Sequence, residues 1–377
     1  MKKIFALIVV LLLLAGCAQT QLSNNTEAQG AEGPLLQVVT SIFPQYDFVR
    51  QIAGDRVDLT MLISPGAESH SFEPTPRDIV TLNSADLFIY VYGGAEAWVY
   101  PILDSLERDD IHTLALVDLV ETVNQEVVEG MEDHHHHAHD HSHSHDDHGH
   151  SHDHDEHHHE EHDHHHDEHG HDEHHHDYYH EHHEQGHDYA HDHGHDSHHH
   201  HHDLDEHVWT SPRNAILIVE QLTETLVALD PDNAEFFREN ASAYIAQLEA
   251  LDRAFTEVVA AGVRDTIVIG DRFPFRYLTD AYGLSYFAAF TGCATETQAS
   301  PATIAFLIEK VEAEGIPVVF HIEFSGGPIA NVIAEATGAR VLELHSAHNL
   351  SPADWNAGVT YLDLMTRNLE MLREALS

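Results

Sequence analysis

The sequence predicts an α/β protein of two lobes, each with a mostly parallel sheet, joined by one long spine helix with the ligand cleft between them. Three observations carry this. Short apolar runs rich in β-branched and aromatic residues alternate with segments of helical periodicity, the pattern of strand–helix units in a parallel sheet. The alternation occurs twice, and 377 residues leave room for two such units. Between them, DPDNAEFFRENASAYIAQLEALDRAFTEVVAAG keeps helical spacing for about 30 residues, longer than an ordinary globular helix.

In the first lobe, residues 35–229, LLQVVTSIF is an apolar β-rich run bounded by Pro44 and reads as a buried strand. YDFVRQIAGD has helical spacing and stops at Gly54, and VDLTMLIS is a second strand ending before Pro65 and Gly66. TPRDIVTLNSA reads as a helix, DLFIYVYG as a third strand and AEAWVYPILDSLERD as another helix. After an interruption, SPRNAILIVEQLTETLVALD is a helix opened by Ser211 and Pro212. The spine follows at 230–262. In the second lobe, 263–377, DTIVIGD, IPVVFHIEF and ARVLELH read as strands. TIAFLIEKVEAEG, IANVIAEATG and a terminal DWNAGVTYLDLMTRNLEMLREAL read as helices.

The interruption, residues 133–203, is almost entirely His, Asp, Glu, Gly and Ser. It has no apolar face to offset the entropy of ordering it and is expected to be disordered. Of 42 histidines in the chain, all but His70, His112, His207, His321, His345 and His348 lie between 134 and 202. Imidazole suits zinc, copper and nickel, and interleaved carboxylates widen the range, so the tract is expected to hold cations at weak, rapidly exchanging sites. A net charge of −49 excludes nucleic acid as a partner and favours cations.

The N-terminus, MKKIFALIVVLLLLAGCAQT, places Lys2 and Lys3 before an apolar run too short to span a bilayer. Residues 1–16 read as a secretion signal. LAGC resembles the bacterial lipobox, which would make Cys17 a lipidated residue holding the chain at a membrane. Residues 17–34 have the polar composition of a flexible tether. Cys293 is then the one remaining thiol, without an intramolecular disulfide partner, and reads as a small packing residue.

Histidines recur where a cleft would be. His70 follows the strand VDLTMLIS, His207 precedes a helix and the apolar Val208 and Trp209, and His345 and His348 follow ARVLEL. Ligands of open α/β sheets gather at such strand-end loops. His112 reads as surface and His321 as adjacent to the cleft.

From about residue 35 to the end, the chain resembles the solute-binding lipoproteins of zinc and manganese ABC importers. The matching segments are PGAESHSFEPTP, GGAEAWV, DEHVWTSP, the NAEFFRENASAYIAQLEALD helix and TYLDLMTRNLEML. A histidine-rich acidic insert ahead of the second ligand histidine resembles the zinc-selective members. The resemblance implies that His70 and His207 are the first two metal ligands. It puts Arg272, a cation, at the third position in GDRFPFRYLTDAYGL, with Asp271 beside it as substitute. It places His345 at the fourth, with His348 nearby as a further candidate. Glu73, Glu96 and Glu323 are expected to brace the ligand-bearing loops, and Glu296 is a further acid near the cleft.

The implied function is capture of Zn2+, with Mn2+ or Ni2+ as lesser alternatives, and delivery to a membrane permease driven by a cytoplasmic ATPase. The protein is expected at the extracytoplasmic face of a bacterial membrane as a monomer, and not as an enzyme. A zinc hydrolase would also use three histidines and an open position, but no HExxH includes His70, His207 or His345; the match HEQGH at 183–187 falls within the histidine-rich low-complexity tract. A surface metal buffer or adhesin is the other rival.

Overall fold

The computed structural model describes residues 34–68, 71–91, 96–106, 108, 110–131, 204–292, 294 and 298–377. The signal, the tether up to residue 33 (Cys17 included), His70, Cys293, Glu296 and the histidine-rich tract lie outside the described residues.

The first lobe runs β1 (Leu36–Thr40), α1 (Phe43–Ala53), β2 (Val57–Met61), α2 (Pro76–Asn83), β3 (Leu87–Tyr90), α3 (Val99–Leu103), β4 (His112–Ala115) and, after the insert, α4 (Pro212–Leu229). The spine is α5 (Ala234–Ala261). The second lobe runs β5 (Thr266–Phe273), α6 (Arg276–Tyr282), β6 (Ser285–Thr291), α7 (Pro301–Glu314), β7 (Val318–His321), α8 (Pro328–Thr337), β8 (Arg340–Glu343), α9 (Pro352–Ala357) and α10 (Tyr361–Leu376). Both four-stranded sheets are parallel and share one topology, β2-β1-β3-β4 and β6-β5-β7-β8. In each, the chain reverses its direction of travel beside the first strand, the crevice where ligands of such sheets bind.

Several elements differ from the sequence reading. The first strand ends at Thr40 because Gln45 Oε1 accepts from Ser41 N, Ser41 Oγ and Ile42 N, starting a helix with Pro44 in its first turn. β4, carrying the exposed His112, and β6 are additional strands, each paired with a neighbour already recognised. The helix read over AEAWVYPILDSLERD is five residues long. The terminal helix is two, separated where Gly358 takes φ 72° and Thr360 begins a new capping box with Asp363.

The buried side chains of the spine are Phe237, Ala241, Tyr244, Leu248, Leu251, Phe255 and Val258. Their alternating spacing of four and three keeps one apolar stripe facing inward for the whole helix, about 42 Å at 1.5 Å per residue. Its N-terminal half meets the first lobe, where Asn240 Nδ2 donates to Ile52 O (3.0 Å). Its C-terminal half meets the second, where Phe255 stacks on Tyr282 (5.2 Å). One continuous apolar cluster therefore runs from Val38 in the first sheet to Phe320 and Leu344 in the second lobe.

Two further contacts tie the lobes. Asp47 Oδ2 accepts from Tyr361 N (2.7 Å) at the start of α10, and Phe48 meets the Tyr361 ring edge-on (5.0 Å). Burial pushes the Asp47 carboxyl above its ordinary range, against the opposing pull of Arg50.

The arms flanking the histidine-rich tract reach the second lobe. Asn124 and Leu204 form an antiparallel bridge, Asp205 N donates to Val123 O (3.0 Å), and Val123 N donates to Tyr277 Oη (3.2 Å). Glu126 pairs with Arg276 and Glu129 with Lys310 (3.4 Å). A Cβ on Gly130 would fall 2.0 Å from the Phe306 ring, so glycine alone allows this close approach.

Candidate metal centre

Loops from the carboxyl ends of both sheets meet around a small cavity of about 30 Å³, room for an ion or a water. The first lobe contributes Ala67 and Glu68 after β2 and His207 ahead of α4. The second contributes Arg272 and Pro274 from β5 and its exit, Gly292 after β6, Ile322, Glu323 and Phe324 after β7, and Ser346, His348 and Asn349 after β8.

His207 is fixed by its neighbours in sequence. Its own backbone N–H donates to Asp205 Oδ1 (2.9 Å), and the same oxygen lies 3.0 Å from Nδ1. A carboxylate at Nδ1 keeps the proton there and leaves Nε2 as the lone-pair donor, the usual arrangement behind a metal-ligating imidazole. Tyr277 Oη donates to Asp205 O (2.7 Å), and Thr210 Oγ1 donates to His207 O (2.8 Å), closing the turn. Val208 and Trp209 are fully buried, and Trp209 Nε1 donates across the lobes to Ser346 O (2.8 Å).

His348 lines the same cavity, its ring 5.8 Å from the His207 ring and 5.1 Å from Trp209. The loop that carries it is strained and braced. Ala347 is one of two non-glycine residues with positive φ among the described residues (59°); the other is Phe324 (62°), also at the cavity. Glu323 accepts from Ser346 N (2.8 Å) and from Ser346 Oγ. Asn349 Nδ2 donates to Ser64 O (2.8 Å) and Ala67 O (2.9 Å), so the loop of His348 grips the first-lobe loop that leads to residue 70.

The other sequence candidates fall in different places. His345 is buried but not among the cavity's lining residues, and its Nδ1 accepts from Ala347 N (2.9 Å). That bond places the proton of a neutral ring on Nε2, so His345 in this arrangement presents no lone pair for a metal. Asp271 lines an adjoining cavity of about 280 Å³ with Glu68, Arg272, Phe324 and Ser325. Its oxygens accept from Arg272 N (2.9 Å) and Ile322 N (3.4 Å). Glu96 braces the turn after β3 by accepting from Val91 N (2.6 Å), and Glu73 is exposed ahead of α2. His321 Nδ1 is bonded to Ile322 O (2.8 Å). Among the described residues no three His, Cys, Asp or Glu side chains form a group able to hold a metal ion.

Arg272 lines both cavities, and its Nη1 pairs with Glu68 Oε1 across the lobes (3.3 Å). With Glu68 41% exposed, the pair contributes about 1 kcal/mol or less to stability. Sequence reasoning did not single out Asp205, whose signal is its place two residues before His207. Nor did it find Asn349 or Glu68, whose roles depend on contacts made across more than 200 residues.

Two parallel sheets of one topology, joined by a spine and facing each other across a histidine-bearing cavity, define the class of two-lobed solute-binding proteins. The family described as zinc-uptake complex component A, periplasmic, matches residues 38–375, and the chain belongs to it. The chain is 30% identical to the zinc-binding lipoprotein AdcA of Streptococcus pneumoniae serotype 4, over 99% of its own length and 61% of that relative. It is 27% identical to the high-affinity zinc uptake system protein ZnuA of Bacillus subtilis, over 99% of its own length and 97% of the relative. It thus spans about three fifths of the AdcA relatives it matches. The crystal structure of the Zn(II)-bound ZnuA-like domain of S. pneumoniae AdcA aligns with a TM-score of 0.63 at 25% identity, covering 91% of this chain and 99% of that one.

Proposed function

We propose that this protein is the extracytoplasmic, lipid-anchored zinc-binding component of a metal ABC importer, capturing Zn2+ between its lobes and passing it to a membrane permease driven by a cytoplasmic ATPase. The observation that supports this reading is that His207 from the first lobe and His348 from the second both line one ion-sized cavity, their rings 5.8 Å apart, in a chain of the zinc-uptake family. His207 donates through Nε2 with Asp205 behind it, and His348 donates from the braced loop after β8. His70, three residues after Ala67 in the sequence, is the third donor. A water, or Asp271 or His345 after release of its present hydrogen bonds, completes the four ligands zinc prefers. Glu323 positions the His348 loop. Cys17 carries the anchor, and the histidine-rich tract holds further zinc weakly. The protein makes and breaks no covalent bond.

Chelator-competition titration of zinc into the full chain tests this. Wild type is expected to show one tight equivalent followed by weaker ones, and His70→Ala and His207→Ala are each expected to lose the tight equivalent while keeping the weak ones. Retention of the tight site in both variants contradicts the ligand assignment.

A further inference from the structure

We infer that Tyr361, the first residue of α10, is a positioning residue for the metal centre: its hydroxyl pins the Trp209 carbonyl, and Trp209 in turn sets the spacing of the His207 and His348 rings; the inference rests on the metal-binding reading above. The three rings form a triangle. Trp209 lies 5.5 Å from the His207 ring and 5.1 Å from the His348 ring, and those two are 5.8 Å apart. An indole is wide and rigid, so once its ends are fixed it holds apart whatever packs on it.

Both ends of Trp209 are fixed, and both from the second lobe. Its indole N–H donates to Ser346 O (2.8 Å), two residues before His348, and its carbonyl accepts from Tyr361 Oη (2.7 Å), two residues after His207. One end therefore registers the indole against the loop of His348, and the other fixes the turn that carries His207. Tyr361 is itself anchored. Its backbone N–H donates to Asp47 Oδ2 (2.7 Å), and its fully buried ring meets Phe48 edge-on (5.0 Å). Packing alone asks only for a ring at this position, and a hydroxyl in a buried place is costly unless it finds a partner. Burial also pushes the phenol far above its ordinary range, so it stays protonated and able to donate at neutral pH. A chain of buried hydrogen bonds thus runs from Asp47 on α1 through Tyr361 and Trp209 to Ser346, and both imidazole-bearing segments hang on it.

The test uses the full chain and compares wild type, Tyr361→Phe, Trp209→Phe and their double variant, with Leu307→Ala as a control in the separate apolar cluster of the second lobe. Each is read by chelator competition for zinc, by melting of the metal-free protein, and by the visible absorption of substoichiometric Co2+, which reports ligand geometry. Tyr361→Phe is expected to bind zinc about tenfold more weakly and to alter the Co2+ band, the range seen when groups supporting metal ligands are lost. Trp209→Phe keeps a ring but loses the indole N–H, and a similar loss is expected. The double variant should be within about threefold of the weaker single variant, because the two bonds act as one chain. Leu307→Ala should lower the melting temperature and leave zinc affinity and the Co2+ band unchanged. Unchanged zinc affinity in Tyr361→Phe, an additive loss in the double variant, or an equal loss in Leu307→Ala overturns the inference while leaving the zinc site standing. Absence of a tight zinc equivalent in wild type overturns both.

Discussion

The two lobes share a sheet topology and differ in how they hold their side of the cavity. The second lobe builds a wall from its own bonds: Glu323 to Ser346, Asp271 to Ile322, and Asn368 to both backbone groups of His345. The first lobe contributes fewer residues, and their positions depend on the second. Asn349 grips Ser64 and Ala67, Trp209 donates to Ser346, and Tyr277 holds Asp205 behind His207. Affinity should therefore be most sensitive to first-lobe ligands and cross-lobe clamps, and stability to bonds within the shared core.

The sharpest way to break this contrast is His207→Ala, expected to weaken the tight zinc site more than 100-fold in chelator competition while the melting temperature of the metal-free protein moves little. Next is Asn349→Ala, which removes the clamp without removing a ligand. About tenfold weaker zinc binding is expected, in the range seen when groups supporting metal ligands are lost. An effect on melting without one on affinity would show the clamp to be merely structural. Glu323→Gln keeps an acceptor but loses charge at Ser346, and a several-fold loss of zinc affinity is expected from the same titration.

The smallest expected effect concerns the shared core. The Asp47 carboxyl is raised by burial, so the folded protein holds its proton more readily than the unfolded chain. The stability this group contributes is full below the ordinary carboxylate pKa of about 3.9 and is lost as pH rises through the higher folded value. Asp47→Asn, which keeps an acceptor for Tyr361 N, should therefore gain on wild type in thermal melts as pH is raised from about 4. A difference between the two that does not change with pH would contradict this.

The alternation of strands and helices was legible because buried parallel strands and amphipathic helices differ in period and boundary residues. The spine was legible for the same reason, its apolar stripe at 237, 241, 244 and onward being visible without any partner. β4 and β6 were not, since HTLA is exposed at its start and YFAAF is separated from α6 by only three residues, so neither resembles an isolated core strand. At the cavity, His207 stood out through its own neighbours. The distinction between His345 and His348, three residues apart, rests on the left-handed turn at Ala347, which aims one ring at a backbone amide and the other into the cavity. No residue pattern announces that turn, because alanine does not favour it. Pairing of Arg272 with Glu68 was equally invisible, as it is made only when the two lobes meet.

The most direct test of the account is a zinc titration of the chain lacking residues 134–202 beside the full chain. The flanking arms are already joined through Asn124 and Leu204 and anchored on the second lobe, so the shortened chain can close without disturbing His207. One tight equivalent is predicted to survive, with an affinity within threefold of the full chain, and to disappear in the shortened His348→Ala variant. Loss of the tight equivalent together with the histidine-rich tract would contradict a metal centre between the lobes.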